Sequence, residues 1–328
     1  MLLNPLVSVI IPIFNASKFI EKCCCSLFSQ TLQDLEFIFV NDGSTDNSID
    51  IIYETIKRFP NRQDQVVVIN RKENRGVSFT RQEGMERATG LFIIHCDSDD
   101  WVEPEMYKQM SETAINENAD IVCCGYYVDN IKNERIATAY YPHLNYFSPL
   151  QFNIGPLTGS LVNKLIRRKI IVENHISFAL DINWGEDFLT SIKCLIMSKK
   201  TICMKECFYH YIQNESSITH NISSLKIQEL TKTANNVELF LKKNNIYDKY
   251  KNQVNYLKFQ TKSFYLMFPE IRNIEKWKGI YTECHHDIWK YESPLYLRFS
   301  SWLIIHNLCG LATITLKIRD IISHLKSR

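Results

Sequence analysis

From the N-terminus to Gly125 the chain switches repeatedly between continuous apolar runs and apolar positions at helical spacing. Val7 to Ile13 is the first run, the pattern of a strand covered on both faces. Phe19, Ile20, Cys23, Cys24, Leu27 and Phe28 then recur at helical spacing, and Leu35 to Val40 is a second run. Asp46 reads as the N-cap of a helix carrying Ile49, Ile52, Tyr53 and Ile56. Val66 to Ile69 predicts a third strand, Val77 to Ala88 a third helix and Leu91 to Cys96 a fourth strand. Pro104 falls just inside the next helix, with Met106, Tyr107 and Met110 on its apolar face. Asp120 to Cys124 closes the series. This alternation predicts an α/β fold: right-handed βαβ units in a mainly parallel central sheet with helices on both faces.

Beyond Gly125 the pattern changes. YYVDN and RIATAYY flank the turn-rich NIKNE and predict a hairpin. From Leu150 to Tyr211 the reading is mixed: a segment with Asn163, Lys164 and Leu165, a helix opening at Glu186 and Asp187, then short strands near Ile202 and Phe208. After Ser224 the chain reads as helices, a C-terminal extension to the sheet domain. The expected divisions are 1–125, 126–222, 223–292 and 293–328, with no internal repeat.

Composition narrows the classes. The 328 residues carry 38 basic and 36 acidic side chains, a net charge of +2, which disfavours a general nucleic-acid-binding field. No apolar run reaches the length of a membrane-spanning helix. The N-terminus is apolar but lacks a basic head and carries Pro5 and Pro12, unlike a signal peptide. The cysteine count is odd, and Cys23, Cys24 and Cys25 are consecutive. They read as small buried hydrophobes in a reducing cytoplasm, not as a disulfide framework.

In parallel α/β sheets ligands lie beyond the carboxyl ends of the strands. The segments leaving those ends are PIFN (Pro12 to Asn15), NDGSTD (Asn41 to Asp46), RKENRG (Arg71 to Gly76) and DSDD (Asp97 to Asp100). Each alone is ordinary loop composition, but acids recur at several of them on one rim. The sequence has neither GxxxxGK[ST] nor a GxGxxG after any strand, so it lacks the usual amide cradles for phosphate. Carboxylates facing a diphosphate would repel it. A divalent cation, Mg²⁺ or Mn²⁺, held by oxygen ligands such as Asp97 and Asp99, would resolve that conflict and stabilise a departing nucleoside diphosphate.

PIFN, VNDGSTDNS, ENRGVSFTRQEGMERATG and DSDD, in this order and at these strand ends, resemble glycosyltransferase family 2. The resemblance is specific over about residues 7–110 and looser to about Thr219, through NKL (Asn163 to Leu165) and GED (Gly185 to Asp187). It implies a GT-A fold and inverting, non-processive transfer from a nucleoside-diphosphate sugar, with a UDP-sugar favoured. The family's QxxRW motif of processive synthases is missing. Pro12, Phe14 and Asn15 would line the nucleobase pocket, Phe14 standing where Tyr is commoner. Asp42 would accept from a base N–H, or else cap its turn. Asn74, Gly76 and Arg81 would lie near base and diphosphate, although Arg81 could instead pair with a surface acid. Asp97 and Ser98 would contact the donor. Asp99, with Asp97, would hold the metal, and Asp100 reads as a cap for the helix before Pro104.

The resemblance assigns the general base to the second acid of the ED motif, Asp187, which would take the proton from the acceptor hydroxyl. Glu186 and Lys164 would bind the acceptor, a glycan or lipid-linked saccharide in cell-surface polysaccharide synthesis. Both acids also suit the first turn of any helix. A non-catalytic sugar-nucleotide or membrane-binding protein on the same fold is the alternative. His210 could reach the diphosphate but reads as a strand residue, and Cys284 to Asp287 as a solvated stretch.

From Arg298 onward, Ile304, Leu308, Leu311, Ile314, Ile318, Ile321 and Leu325 recur in steps of three or four. Arg298, Lys317, Arg319, Lys326 and Arg328 stand there against a single acid, Asp320. A basic amphipathic helix of this kind, with Trp302, points to a membrane surface, with peripheral placement at its inner face. Packing on the domain or on a second subunit, as in a homodimer, is the other outcome.

Overall fold

The computed structural model describes residues 5–130, 136–140, 159–213 and 223–326, the side chains of 130, 136–140, 324 and 326 excepted. Residues 131–134 of the NIKNE turn, residues 150–158 and Arg328 lie outside the described residues. The chain divides into two compact units: 1–149 with 153–217, and 150–152 with 218–328.

The first unit is built on one sheet. Its opening elements are β1 (Val7–Ile13), α1 (Ile20–Phe28), β2 (Leu35–Asp42), α2 (Ser48–Arg58), β3 (Val66–Arg71), α3 (Val77–Arg87) and β4 (Phe92–His95). β1 lies between β2 and β4, with β3 outside β2, and all these pairings are parallel. Successive residues of β1 serve opposite faces: Val9 and Ile11 join a cluster with Leu27 and Ile52, and Ile10 joins one with Met85 and Cys194. A strand buried on both sides reads as an unbroken apolar run, which is why the alternation was legible.

Past β4 the sheet becomes mixed. β5 (Trp101–Val102), α4 (Met106–Asn116), β6 (Ile121–Asn130), β7 (Ile136–Tyr140), β8 (Lys164–Arg167), α5 (Arg168–Glu173), α6 (Glu186–Met197) and β9 (Thr201–Gln213) follow. β8 runs antiparallel between β4 and β6, and β9 pairs with β6 in parallel and with β5 antiparallel. The expected hairpin forms between β6 and β7, but YYVDN continues the fifth expected strand. The two short strands expected near Ile202 and Phe208 are one, β9, whose pairing with β6 shifts register around Gly125. Asp46 does not occupy the N-cap, which is Asn47. Its carboxylate accepts from Ser48 N–H (3.1 Å) and Ser17 N–H (3.0 Å), binding the β1–α1 loop to α2. No disulfide occurs among the described residues.

The second unit is helical: α7 (Ser224–Lys243), α8 (Tyr247–Met267), α9 (Ile274–Gly279), α10 (Leu295–Ile305) and α11 (Cys309–Lys326). Trp277, Phe259, Ile304 and Leu316 share its core. The stretch expected to be solvated is only partly so: Cys284 and Ile288, four residues apart on the 3₁₀ segment Thr282–Lys290, are buried against the core, while His286 between them is exposed. The apolar row from Ile304 is also not one seam. Asn307 adopts a left-handed backbone (φ 61°) that breaks it into α10 and α11. No described helix is long and apolar enough to cross a membrane.

Candidate active site

At the carboxyl ends of β1 and β2 the loops are stitched together by side chains. Asn15, at φ 50°, accepts Thr45 N–H on Oδ1 (2.8 Å) and donates its own N–H to Ser44 Oγ (3.0 Å). Phe14 beside it is 52% exposed, an aromatic face left uncovered, whereas Pro12 is buried within β1. Asp42 ends β2 and is buried. Its Oδ1 accepts Arg75 N–H (2.9 Å), its Oδ2 accepts Gly76 N–H (2.8 Å), and Arg71 Nη1 lies 3.2 Å away. Both oxygens therefore already fold the 72–76 loop over the strand end, with Asn74 exposed on that loop. This is closer to the turn-holding alternative than to a carboxylate awaiting a base. Gly76 has φ +94°, and a Cβ there would come 2.3 Å from Asn183 Oδ1. Only glycine meets both conditions.

Arg81 is the centre of the rim. Its position on α3 buries it, and no surface acid is involved. Nη2 donates to Asp97 Oδ1 (2.8 Å), Nε faces Glu186 Oε1 (3.4 Å), and Nη1 lies 3.4 Å from His95 Nδ1. One guanidinium thus joins the DSDD loop to the first turn of α6. Burial opposes its charge, but Asp97, Glu186 and Asp187 raise its pKa regardless. The same cation, after burial itself, holds the His95 imidazole well below its ordinary range.

The DSDD loop is fixed from β9. Tyr209 OH donates to Asp100 Oδ2 (2.5 Å) and accepts Asp97 N–H (3.2 Å), and Ile212 N–H donates to Asp100 Oδ1 (2.8 Å). Asp100 therefore anchors the loop and does not cap the helix before Pro104. Buried, and beside Asp99 and Asp97, it is pushed well above the usual carboxylate range. Asp99 is half-buried. Burial and then the Asp97 charge push it up to about 6. Ser98 is half-buried between the two acids.

Asp97 and Asp99 fit a divalent cation by their chemistry: two hard oxygen donors whose mutual repulsion a cation would relieve. Among the described residues no group of three His, Cys, Asp or Glu side chains could hold a metal. Two carboxylates, with remaining positions left to water and phosphate, is how Mg²⁺ is commonly bound beside a nucleotide.

Gly185, left-handed at φ 89°, turns the chain into α6. Asp187 Oδ1 accepts Phe188 N–H (2.6 Å), and Ser160 also bonds its carboxyl. Burial raises the Asp187 pKa against the pull of Arg81, and burial and Asp187 raise that of Glu186. Glu186 is buried and turned toward Arg81. Lys164 is likewise buried: its Nζ donates to Ser160 O (2.6 Å) and Asn163 Oδ1 (2.9 Å). Burial lowers its pKa, and Asp187 is among the charges opposing that. Glu186 and Lys164, expected at the acceptor, both make inward contacts here, with Arg81 and with Ser160 and Asn163.

His210 does not face the rim acids Asp97 and Asp99. It is buried, stacked on Trp101 (3.4 Å between centroids), with Nδ1 3.1 Å from Asp129 and Nε2 2.9 Å from Glu103. Asp129, Glu103, Tyr209, Asn183 and Ser160 escaped sequence reasoning. Each acts through a partner distant in sequence, and a single sequence carries no signal of that pairing.

The mixed α/β sheet, whose carboxyl-end loops gather acids around a buried arginine, has the GT-A-like fold of sugar transferases, as its solved neighbours show. The sequence matches the family described as Glycosyl transferase family 2 over residues 8–173. EpsH of Bacillus subtilis is 31% identical over 284 residues, covering 84% of this chain and 78% of that protein. The chain belongs to glycosyltransferase family 2. Among solved structures, Staphylococcus aureus TarS 1–349 in complex with UDP-GlcNAc superposes with a TM-score of 0.62 at 16% identity, covering 95% of this chain and 90% of that one. The mannosyltransferase PcManGT from Pyrobaculum calidifontis, in complex with GDP-Man and Mn²⁺, gives 0.54 at 13% identity, covering 98% of this chain and 88% of that one.

Proposed function

We propose that this glycosyltransferase moves one sugar per encounter, with inversion, from a UDP-sugar to a glycan or lipid-linked saccharide in cell-surface polysaccharide synthesis, at the inner face of a membrane. The observation that carries the reading is the network in which Arg81 joins Asp97 to Glu186, its charge acting also on Asp99 and Asp187. UDP-GlcNAc in the TarS complex and Mn²⁺ in PcManGT support a nucleotide-sugar donor and a divalent cation.

Phe14 offers an aromatic face to the nucleobase, and Asn15 and Asp42 hold the two loops that frame it. Asn74 and Gly76 stand on the loop that closes the donor side, where Gly76 permits close backbone approach. Asp99 and Asp97 would hold Mg²⁺ or Mn²⁺, which when bound neutralises the diphosphate and stabilises it as leaving group. Ser98 adds a hydroxyl beside it. Arg81 acts through Asp97, fixing its orientation.

Asp187 takes the proton of the acceptor hydroxyl as that oxygen attacks the anomeric carbon opposite the departing diphosphate. Its raised pKa, with burial the main cause, makes it a stronger base than an exposed aspartate. Glu186 and Lys164 position it from behind. Asp187→Asn should lower transfer by about 10²–10⁴-fold and leave UDP affinity near wild type. Chromatography of products from a UDP-sugar panel, with UDP binding measured in parallel, checks this. Comparable turnover by the variant would remove Asp187 from the base role.

A further inference from the structure

In the helical unit α11 has two faces of opposite fate. Ala312 and Leu316 are buried in the core, and Asp320 on the same side pairs with Arg272 (2.8 Å). The other side carries Leu311, Ile314, Ile318, Ile321, Ile322 and Leu325, from 48% exposed at Ile322 to 67% at Leu325. At helical spacing these six form one continuous stripe. Helix α10 adds an apolar row of its own, exposed Leu295 and Phe299 followed by half-buried Trp302, whose ring stacks on Phe299 (6.3 Å). A contiguous apolar stripe on a protein surface marks a site of association.

Charge selects the occupant. Lys317 is exposed and flanks the stripe a quarter-turn away, while Arg319 on the opposite flank turns its guanidinium inward onto Met267 O (3.1 Å) and Asp320. Asp320, the single acid from Leu295 to the last residue, is turned inward and bonded by both Arg272 and Arg319 (3.3 Å). The outward surface is therefore apolar, bordered by the exposed cation Lys317, with no acid among the described residues of the helix facing outward. A two-fold dimer through this stripe would set like cations near one another without counter-charge. An anionic lipid surface supplies both the apolar medium and the negative charge.

We propose that the exposed stripe of α11, from Leu311 to Leu325, is a docking face for an anionic lipid bilayer, lying in the plane of the interface. The inference deepens the proposed placement at a membrane. It rests on the helical unit alone, so it and the transfer reaction can fail separately.

The test uses the full chain, floated with vesicles of phosphatidylglycerol and phosphatidylcholine or of phosphatidylcholine only, with light scattering to give the oligomeric state without lipid. Wild type should rise with the anionic vesicles and be monomeric in their absence. The double variant Ile318→Asp, Ile321→Asp should lose about tenfold or more of that recovery, with unchanged circular dichroism and unchanged UDP affinity. Lys317→Glu, a single exposed change, should weaken capture by anionic vesicles in the same direction. Wild type left at the bottom of the gradient, or variants recovered as well as wild type, would overturn the proposal. So would a wild-type dimer that the double variant dissolves into monomers.

Discussion

Both units bury charge, and they balance it differently. In the helical unit Lys258 meets Glu238 and Glu283, each at 2.7 Å, and Glu238 also meets Lys242 (2.9 Å). Cations and acids there are matched, and both glutamates are held below their ordinary range once burial is overcome. On the rim of the sheet unit, Asp97, Asp99, Glu186 and Asp187 gather around the guanidinium of Arg81, and Asp99, Asp100, Glu186 and Asp187 are pushed upward, with burial the first cause. Isolated charges in low dielectric are costly unless compensated. The cluster in the helical unit is internally matched, whereas the rim gathers carboxylates whose charge is compensated only in part, and that difference is what the proposed cation site rests on.

The comparison is broken most severely at Arg81. Arg81→Met should destabilise the protein by about 3–5 kcal/mol, because removing one partner strands buried acids. Urea unfolding measures it; a loss similar to that of an exposed arginine would mean the rim acids do not depend on this cation.

A smaller effect is expected in the helical unit. Lys262 lies over the Trp277 ring (4.1 Å), beside His285 (2.7 Å), and burial lowers its pKa to about 8. The folded state then binds fewer protons than the unfolded state between that value and the ordinary lysine range, so this group adds stability as pH rises from about 8 to about 10. Lys262→Met should flatten that rise, by an amount on the order of 1 kcal/mol, in urea titrations followed by tryptophan fluorescence. A slope unchanged by the substitution would show the ammonium to be solvated.

The two regions also differ in what their sequence discloses. The run from β1 to α4 was readable because strands covered on both faces show as unbroken apolar stretches, and the rim motifs stand directly after them. β9 was read as two pieces because Lys205 and Glu206 are exposed in mid-strand, where the register with β6 shifts. Asp100 was assigned to a local cap, while its partners Tyr209 and Ile212 lie more than a hundred positions away. For Glu186 and Lys164 the sequence likewise carries no sign of the inward contacts with Arg81, Ser160 and Asn163 that the packed fold makes. In the tail, spacing alone ran through Asn307, whose left-handed backbone ends α10.

The central claim is that the rim's excess negative charge binds a divalent cation and, through it, the donor diphosphate. Isothermal titration of UDP into wild type and Asp99→Asn, with and without Mn²⁺, tests it most directly. The account predicts that wild type binds UDP tightly only with Mn²⁺ and that the variant loses about tenfold or more of that affinity. Equal UDP affinity in all four titrations would contradict it.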